Sequence, residues 1–189
     1  MINLSWRVNI FNCNWRNKLE ILKITADDRE FFIRDAQRAF QDGYEAEYGK
    51  CEDVILPRQD VLNSLEAEDC VGYYAVEDGE KIAGAIVKIN PETHINELQI
   101  LYVRSDLESK GIGLKLWKAV EKMYPYTKAW TTCTPYFEKR NIHFYVNKCG
   151  FHIVEFMNPK HKAPWSDEPV GGMCDEAGDY FFMFEKKMV

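Results

Sequence analysis

The stretch LYVRSDLESKGIG, residues 101–113, decides how the rest of the chain is read. An apolar strand end runs into a polar loop and then into Gly111-Ile112-Gly113. From Ile112 onward Leu116, Trp117, Val120, Met123 and Tyr124 recur at helical spacing until Pro125 ends the run. Strand, turn and helix in that order make an anion seat. The first helical turn leaves N–H groups without partners, the macrodipole adds partial positive charge, and glycine lets a ligand approach the main chain. Lys110 contributes a full charge beside it. A bare Gly-x-Gly also serves tight turns and close helix–strand packing, so the seat needs support from its surroundings.

Working outward, INELQILYV (95–103) is the strand that feeds the loop. Before it, VGYYAVEDGEKIAGAIVKIN (71–90) reads as an antiparallel pair joined at Glu77-Asp78-Gly79-Glu80, because Asp-Gly tolerates the positive φ of a tight hairpin. LEILKIT (19–25) predicts a short first strand, with Thr25 and Asp28 forming a capping box. A helix follows in which Phe32, Ala36, Phe40 and Tyr44 share one face, and a second opens near Pro57 with Val61, Leu62 and Leu65 inward. Downstream, Trp130–Thr134 predicts a strand and Glu138–Lys148 a helix closed by Gly150. Phe151–Phe156 and Tyr180–Glu185 predict the last two strands. The order β, α, α, βββ, α, β, α, ββ describes an α+β domain, a largely antiparallel sheet with one βαβ step and helices on both faces. Residues 1–18 form an N-terminal extension, 19–189 a single domain. The connection 157–179 is long enough to suggest a functional loop.

Composition narrows the function. Among 189 residues, 24 Lys and Arg face 30 Asp and Glu, a net charge of −6, so no diffuse attraction to phosphate backbones or anionic lipid is expected. No stretch approaches the ~20 apolar residues of a membrane span, and the first 18 residues lack a secretion-signal pattern. Six cysteines without a CxxC pair read as reduced thiols in a cytoplasm. His94, His152 and His161 lack metal-ligand spacing, so no metal is expected.

VRSDLESKGIG (103–113) resembles the pyrophosphate motif of the GNAT superfamily of acetyl-CoA-dependent N-acetyltransferases, V-x-P-x-x-[RQ]-x-x-G-x-[GA]. Val103, Gly111 and Gly113 match, whereas Ser105 replaces the frequent Pro and Glu108 stands where Arg or Gln is usual. NIHFYVNKCGF (141–151) resembles the superfamily's N-x-x-x-[FL]-Y-x-x-x-G-F segment, with Tyr145 five residues before Gly150 where the usual spacing is four and Val146 stands. One residue turns a helix by about 100°.

The resemblance implies a GNAT-like acyl-CoA N-acyltransferase fold over about 19–189, with acetyl-CoA as cosubstrate. It assigns cofactor contacts to main-chain groups of Leu101, Tyr102 and Val103, to Glu108, Ser109, Lys110, Gly111, Ile112 and Gly113, and to Asn141. Glu97, six residues before Val103, matches the catalytic carboxylate of the histone-acetyltransferase branch and is the candidate base. Strict strand alternation puts it on one face with Gln99, Leu101 and Val103. Tyr145 is the candidate acid for the departing thiolate, with His143 as a substitute donor and a covalent route through Cys133 or Cys149 as a minor alternative. An exposed strand glutamate and a packed core tyrosine are the competing readings. A module that holds acyl-CoA without turnover is the competing function.

The acceptor is expected to be a small or peptidic amine, with no nucleic acid or membrane partner; a homodimer is compatible. Acidic residues in two segments, 42–53 and 167–185, favour a cationic acceptor such as a polyamine, an aminoglycoside-like amine or a lysine-rich segment.

Overall fold

The structure, a computed structural model, describes residues 19–107, 110–162 and 180–189. The extension 1–18, Glu108, Ser109 and most of the 157–179 connection lie outside the described residues. In chain order the elements are β1 (Glu20–Lys23), α1 (Arg29–Tyr48), α2 (Arg58–Glu66), β2 (Cys70–Glu77), β3 (Glu80–Lys88), β4 (Ile95–Val103), α3 (Ile112–Met123), β5 (Ala129–Pro135), α4 (Lys139–His143), β6 (His152–Met157) and β7 (Phe181–Lys187). The strands form one sheet in the order β1-β2-β3-β4-β5-β7-β6. Every neighbouring pair is antiparallel except β4–β5, the step that α3 crosses.

Local chemistry explains the expected elements. Asp78 (φ 50°) and Gly79 (φ 83°) supply the left-handed turn that joins β2 to β3. The Asp28 carboxylate accepts the Thr25 N–H at 3.2 Å, steadying the entry to α1. Gly150 (φ 81°) stops the helical run before β6.

Two cores lie on opposite faces of the sheet. On one, α3 packs Ile112, Leu116, Trp117 and Val120 against Ala85, Leu98, Trp130 and Phe184. On the other, α1 and α2 pack Phe32, Ile33, Ala36 and Val61 against Tyr74, Ile86, Ile100 and Tyr102. Trp117 and Trp130 are fully buried and meet edge to face, centroids 5.1 Å apart. Burying such a ring removes about 150–250 Å2 from water, worth about 4–6 kcal/mol before ordering costs, at ~25 cal/mol per Å2.

Two departures from the expected geometry shape the site. Ile86 pairs with Ile100 but Val87 pairs with Leu98, so Gln99 is an extra residue in β4. This bulge breaks the alternation expected for Glu97, Gln99, Leu101 and Val103. Leu98, Leu101 and Val103 face the α3 core, while Ile100 and Tyr102 face the α1 core. Glu97, opposite Lys88 in register, lies on the α1 side. The second departure is in α4, which is regular only to His143 and continues as a π-helical turn over Phe144–Cys149. The N–H groups of Gly150 and Phe151 both reach the Tyr145 carbonyl, the latter at 3.0 Å. A π turn carries about one residue more than an α turn. Tyr145, five residues before Gly150, thus occupies the place that a four-residue spacing gives in a regular helix.

Candidate active site

The site begins where two neighbouring strands part. β4 and β5 pair only at Ile95–Ala129, Asn96–Trp130 and Glu97–Thr131. Beyond Glu97, β4 stays with β3 as far as Val103, and β5 stays with β7 as far as Pro135. At the first unpaired step a side chain replaces the ladder: the buried Thr132 hydroxyl donates to the Leu98 carbonyl at 2.8 Å. The bulge at Gln99 bends β4 at the same point.

A cavity of about 800 Å3 opens beside the β4 end. Leu101, Tyr102 and Val103 form one wall, Gly111–Leu114 another, and Asn141, His143, Phe144 and Lys148 a third. Tyr44 and Glu47 of α1, with Glu138 before α4, close the far end. The two glycines of the turn divide the work. Gly111 has φ 75°, and a Cβ built there meets nothing within 4 Å, so its main chain is bare towards the space. A Cβ on Gly113 would meet Val103 Cγ2 at 3.3 Å, Leu101 Cδ2 at 3.5 Å and Phe144 Cζ at 3.6 Å, so this glycine lets helix, strand and α4 close up. No side chain caps α3 and no acid occupies its first turn. The free N–H groups and the positive end of the dipole therefore suit a phosphate.

The expected residues separate into two groups. Leu101, Tyr102, Val103, Gly111, Ile112, Gly113 and Asn141 come together around the cavity, and the Asn141 amide also donates to the Thr134 hydroxyl at 3.4 Å. Lys110 is exposed at the turn and does not line the space. Glu97 and Tyr145 do not line it either; they meet the foot of the gap from opposite faces. Glu97 belongs to the last β4–β5 pair, on the α1 side. Burial pushes its carboxyl above the usual range, Lys88 works against this and Asp69 adds to it. Tyr145 packs on the α3 side against Phe144, Phe151 and Phe184. Its hydroxyl is hydrogen-bonded with Thr132, and burial pushes its pKa far upward.

Burial also pushes the Cys133 and Cys149 thiols up to about 12, the nearby Glu97 charge adding to the effect at Cys133. Thiols held protonated are poor nucleophiles, which weighs against the covalent route. Among the described residues no group of three or more His, Cys, Asp or Glu side chains is placed to hold a metal, and no helix is long and apolar enough to cross a membrane.

The acetyltransferase (GNAT) family model matches residues 29–151. The chain belongs to the GNAT family. It is also similar, at 48% identity over 175 residues, to YrkN of Bacillus subtilis, an uncharacterized protein; the match covers 90% of this chain and 92% of that one. Two solved GNAT structures share the fold at low identity. One is an acetyltransferase of Elizabethkingia anophelis with acetyl-CoA bound (TM-score 0.65, 15% identity, 90% of this chain and 98% of that chain). The other is the PaiA N-acetyltransferase of Thermoplasma acidophilum in complex with coenzyme A (TM-score 0.61, 20% identity, 90% and 99%).

Within this GNAT domain the sequence reading missed three features. Phe40, which packs against the α1 core, and Tyr44 on the same helix face also line the cavity. Thr132 joins Leu98 to Tyr145 at the foot of the gap. Glu138 faces the cavity from the turn after β5. Nothing in the spacing marks the last two, because a buried threonine and a loop glutamate are ordinary at such places.

Proposed function

We propose that this GNAT protein transfers an acetyl group from acetyl-CoA to a primary amine by direct attack. The observation that carries this is the uncapped start of α3, opening with bare Gly111 onto a cavity walled by the β4 end that has left β5. The CoA and acetyl-CoA complexes of the two similar structures support the choice of ligand. Acetyl-CoA supplies the thioester. First-turn N–H groups of α3 hold its pyrophosphate, and Asn141 with the unpaired edge of Leu101–Val103 holds its arm. Main-chain N–H groups on that edge stabilise charge developing on the carbonyl oxygen.

Glu97, its carboxyl raised by burial, takes the proton from the amine on the α1 side. Tyr145, on the α3 side, gives its proton to the departing thiolate, while the Thr132 hydroxyl turns from the Leu98 carbonyl to support the phenolate left behind. Base and acid then serve opposite faces of one opening, which keeps the two proton transfers apart. The test is release of free thiol from acetyl-CoA with a panel of primary amines. Amine-dependent release supports transfer; tight acetyl-CoA binding with no release for any amine would leave a binding module instead.

A further inference from the structure

The cavity has an end away from Gly111, where Tyr44, Glu47 and Glu138 converge. The acidic run expected to colour this side is largely engaged in local pairs. Asp42 accepts the Ser105 hydroxyl at 2.6 Å and lies 3.6 Å from Arg38. Glu45 accepts from Gln41 at 2.8 Å, and Glu47 lies 3.6 Å from Lys139. Glu138 differs: its carboxylate has no hydrogen-bond or ion-pair partner among the described residues, although it is half-buried. Burial and Glu47 raise its pKa, and Arg140, which also lines the cavity, opposes them.

The wall beside it is aromatic and fixed. Tyr44, Tyr48 and Phe137 pack with centroids 5.0–6.0 Å apart, and the Tyr48 hydroxyl donates to the Phe137 carbonyl at 2.6 Å. That bond pins the residue next to Glu138. The Glu138 carboxylate is partly desolvated and Arg140 offsets this only in part, so a bound cation returns free energy there, and ring faces favour the same sign.

We propose that Glu138 is a specificity-determining residue of the acceptor end: with the Tyr44 ring it holds a second positive group, so the preferred acceptors are di- or polyamines. The inference rests on amine acetylation as proposed above. The reacting nitrogen points towards the gap and Glu97, and the distal ammonium stays with Glu138.

The test compares spermidine with propylamine at saturating acetyl-CoA, in the parent protein and in Glu138→Gln. The substitution should raise KM for spermidine about tenfold with kcat within about twofold, cutting the spermidine-to-propylamine ratio of kcat/KM about tenfold. Glu138→Asp should restore part of the ratio, and the CoA-induced rise in Tm reports that each variant is folded. A ratio unchanged within twofold, or equal loss of kcat for both amines, overturns the assignment. If the parent acetylates no amine, the transfer reading fails by itself, and calorimetry with spermidine and CoA still decides the present one. Tenfold tighter spermidine binding to the parent than to Glu138→Gln supports it, and equal or absent binding overturns it.

Discussion

The two edges of β4 do opposite things with the same backbone. Towards β3 the ladder runs from Lys88–Glu97 to Ala83–Val103, interrupted only by the bulge at Gln99. Towards β5 it stops after three pairs, and beyond them lie the cavity and the bare turn at Gly111. Glycines mark the contrast. A Cβ on Gly84 of β3 would sit 2.5 Å from both Phe32 and Tyr102, whereas one on Gly111 would sit in open space. The closed edge holds the molecule together; the open edge is where a ligand can reach main chain without unfolding anything.

Substitutions at the foot of the open edge should give the largest effects. Glu97→Gln is expected to lower kcat by roughly 10²–10⁴, the range for a lost general base. In the parent, kcat/KM should rise with pH through a carboxyl pKa above the ordinary range, and that limb should vanish in the variant. Parental rates across the pH range would return Glu97 to a structural role. Next comes Tyr145→Phe, expected to cost about 10²-fold in kcat. Thr132→Val should reproduce much of that loss with little change in KM, and Thr132→Ser should recover it. If Val and Ser behave alike, the Thr132 hydroxyl only closes the strand end.

Smaller effects separate binding from folding. In the parent, CoA at 100 times its Kd should stabilise the fold by about 2.7 kcal/mol, a Tm rise of about 5–10 °C at ~2–4 °C per kcal/mol for a chain of this size. Gly111→Val should abolish that rise. It lowers the ligand-free Tm only by the strain of a β-branched residue at positive φ, about 1–2 kcal/mol. On the closed edge Gly84→Ala forces Phe32 and Tyr102 apart, at about 1–3 kcal/mol, and should leave the CoA-induced rise intact. The reverse pattern, ligand response lost at Gly84 and kept at Gly111, would break the comparison.

The least of these effects is one of stability against pH. The Glu97 carboxyl is raised in the fold, so as pH rises the unfolded chain loses that proton first, and ionisation works against the folded state at neutral pH. Glu97→Gln should therefore raise Tm slightly at pH 7. The gain should disappear below the unfolded value of about 4.3.

Most of the architecture was legible because its signals are local. Asp78-Gly79 dictates a hairpin, Pro125 ends α3, and Gly150 ends the π turn that continues α4. The strand, the glycine turn and the uncapped start of α3 were legible for the same reason, since they are contiguous in sequence. The bulge was not. In INELQILYV every residue after Gln99 is apolar, so no polar position reports the change of face. The π turn left a trace in the displaced Tyr145, but spacing alone could not tell a rotated tyrosine from a widened turn. Glu138, Thr132 and the far wall of the cavity depend on contacts between α1, β5 and α4, and no local pattern encodes those.

The most direct measurement is an electron-density map of crystals grown with acetyl-CoA. The account predicts pyrophosphate density against the first-turn N–H groups of α3 beside Gly111. It also predicts the thioester between the parted strands, with Glu97 and Tyr145 on opposite sides of it. Density for the cofactor at another surface, with the β4–β5 gap filled by side chains, would contradict it.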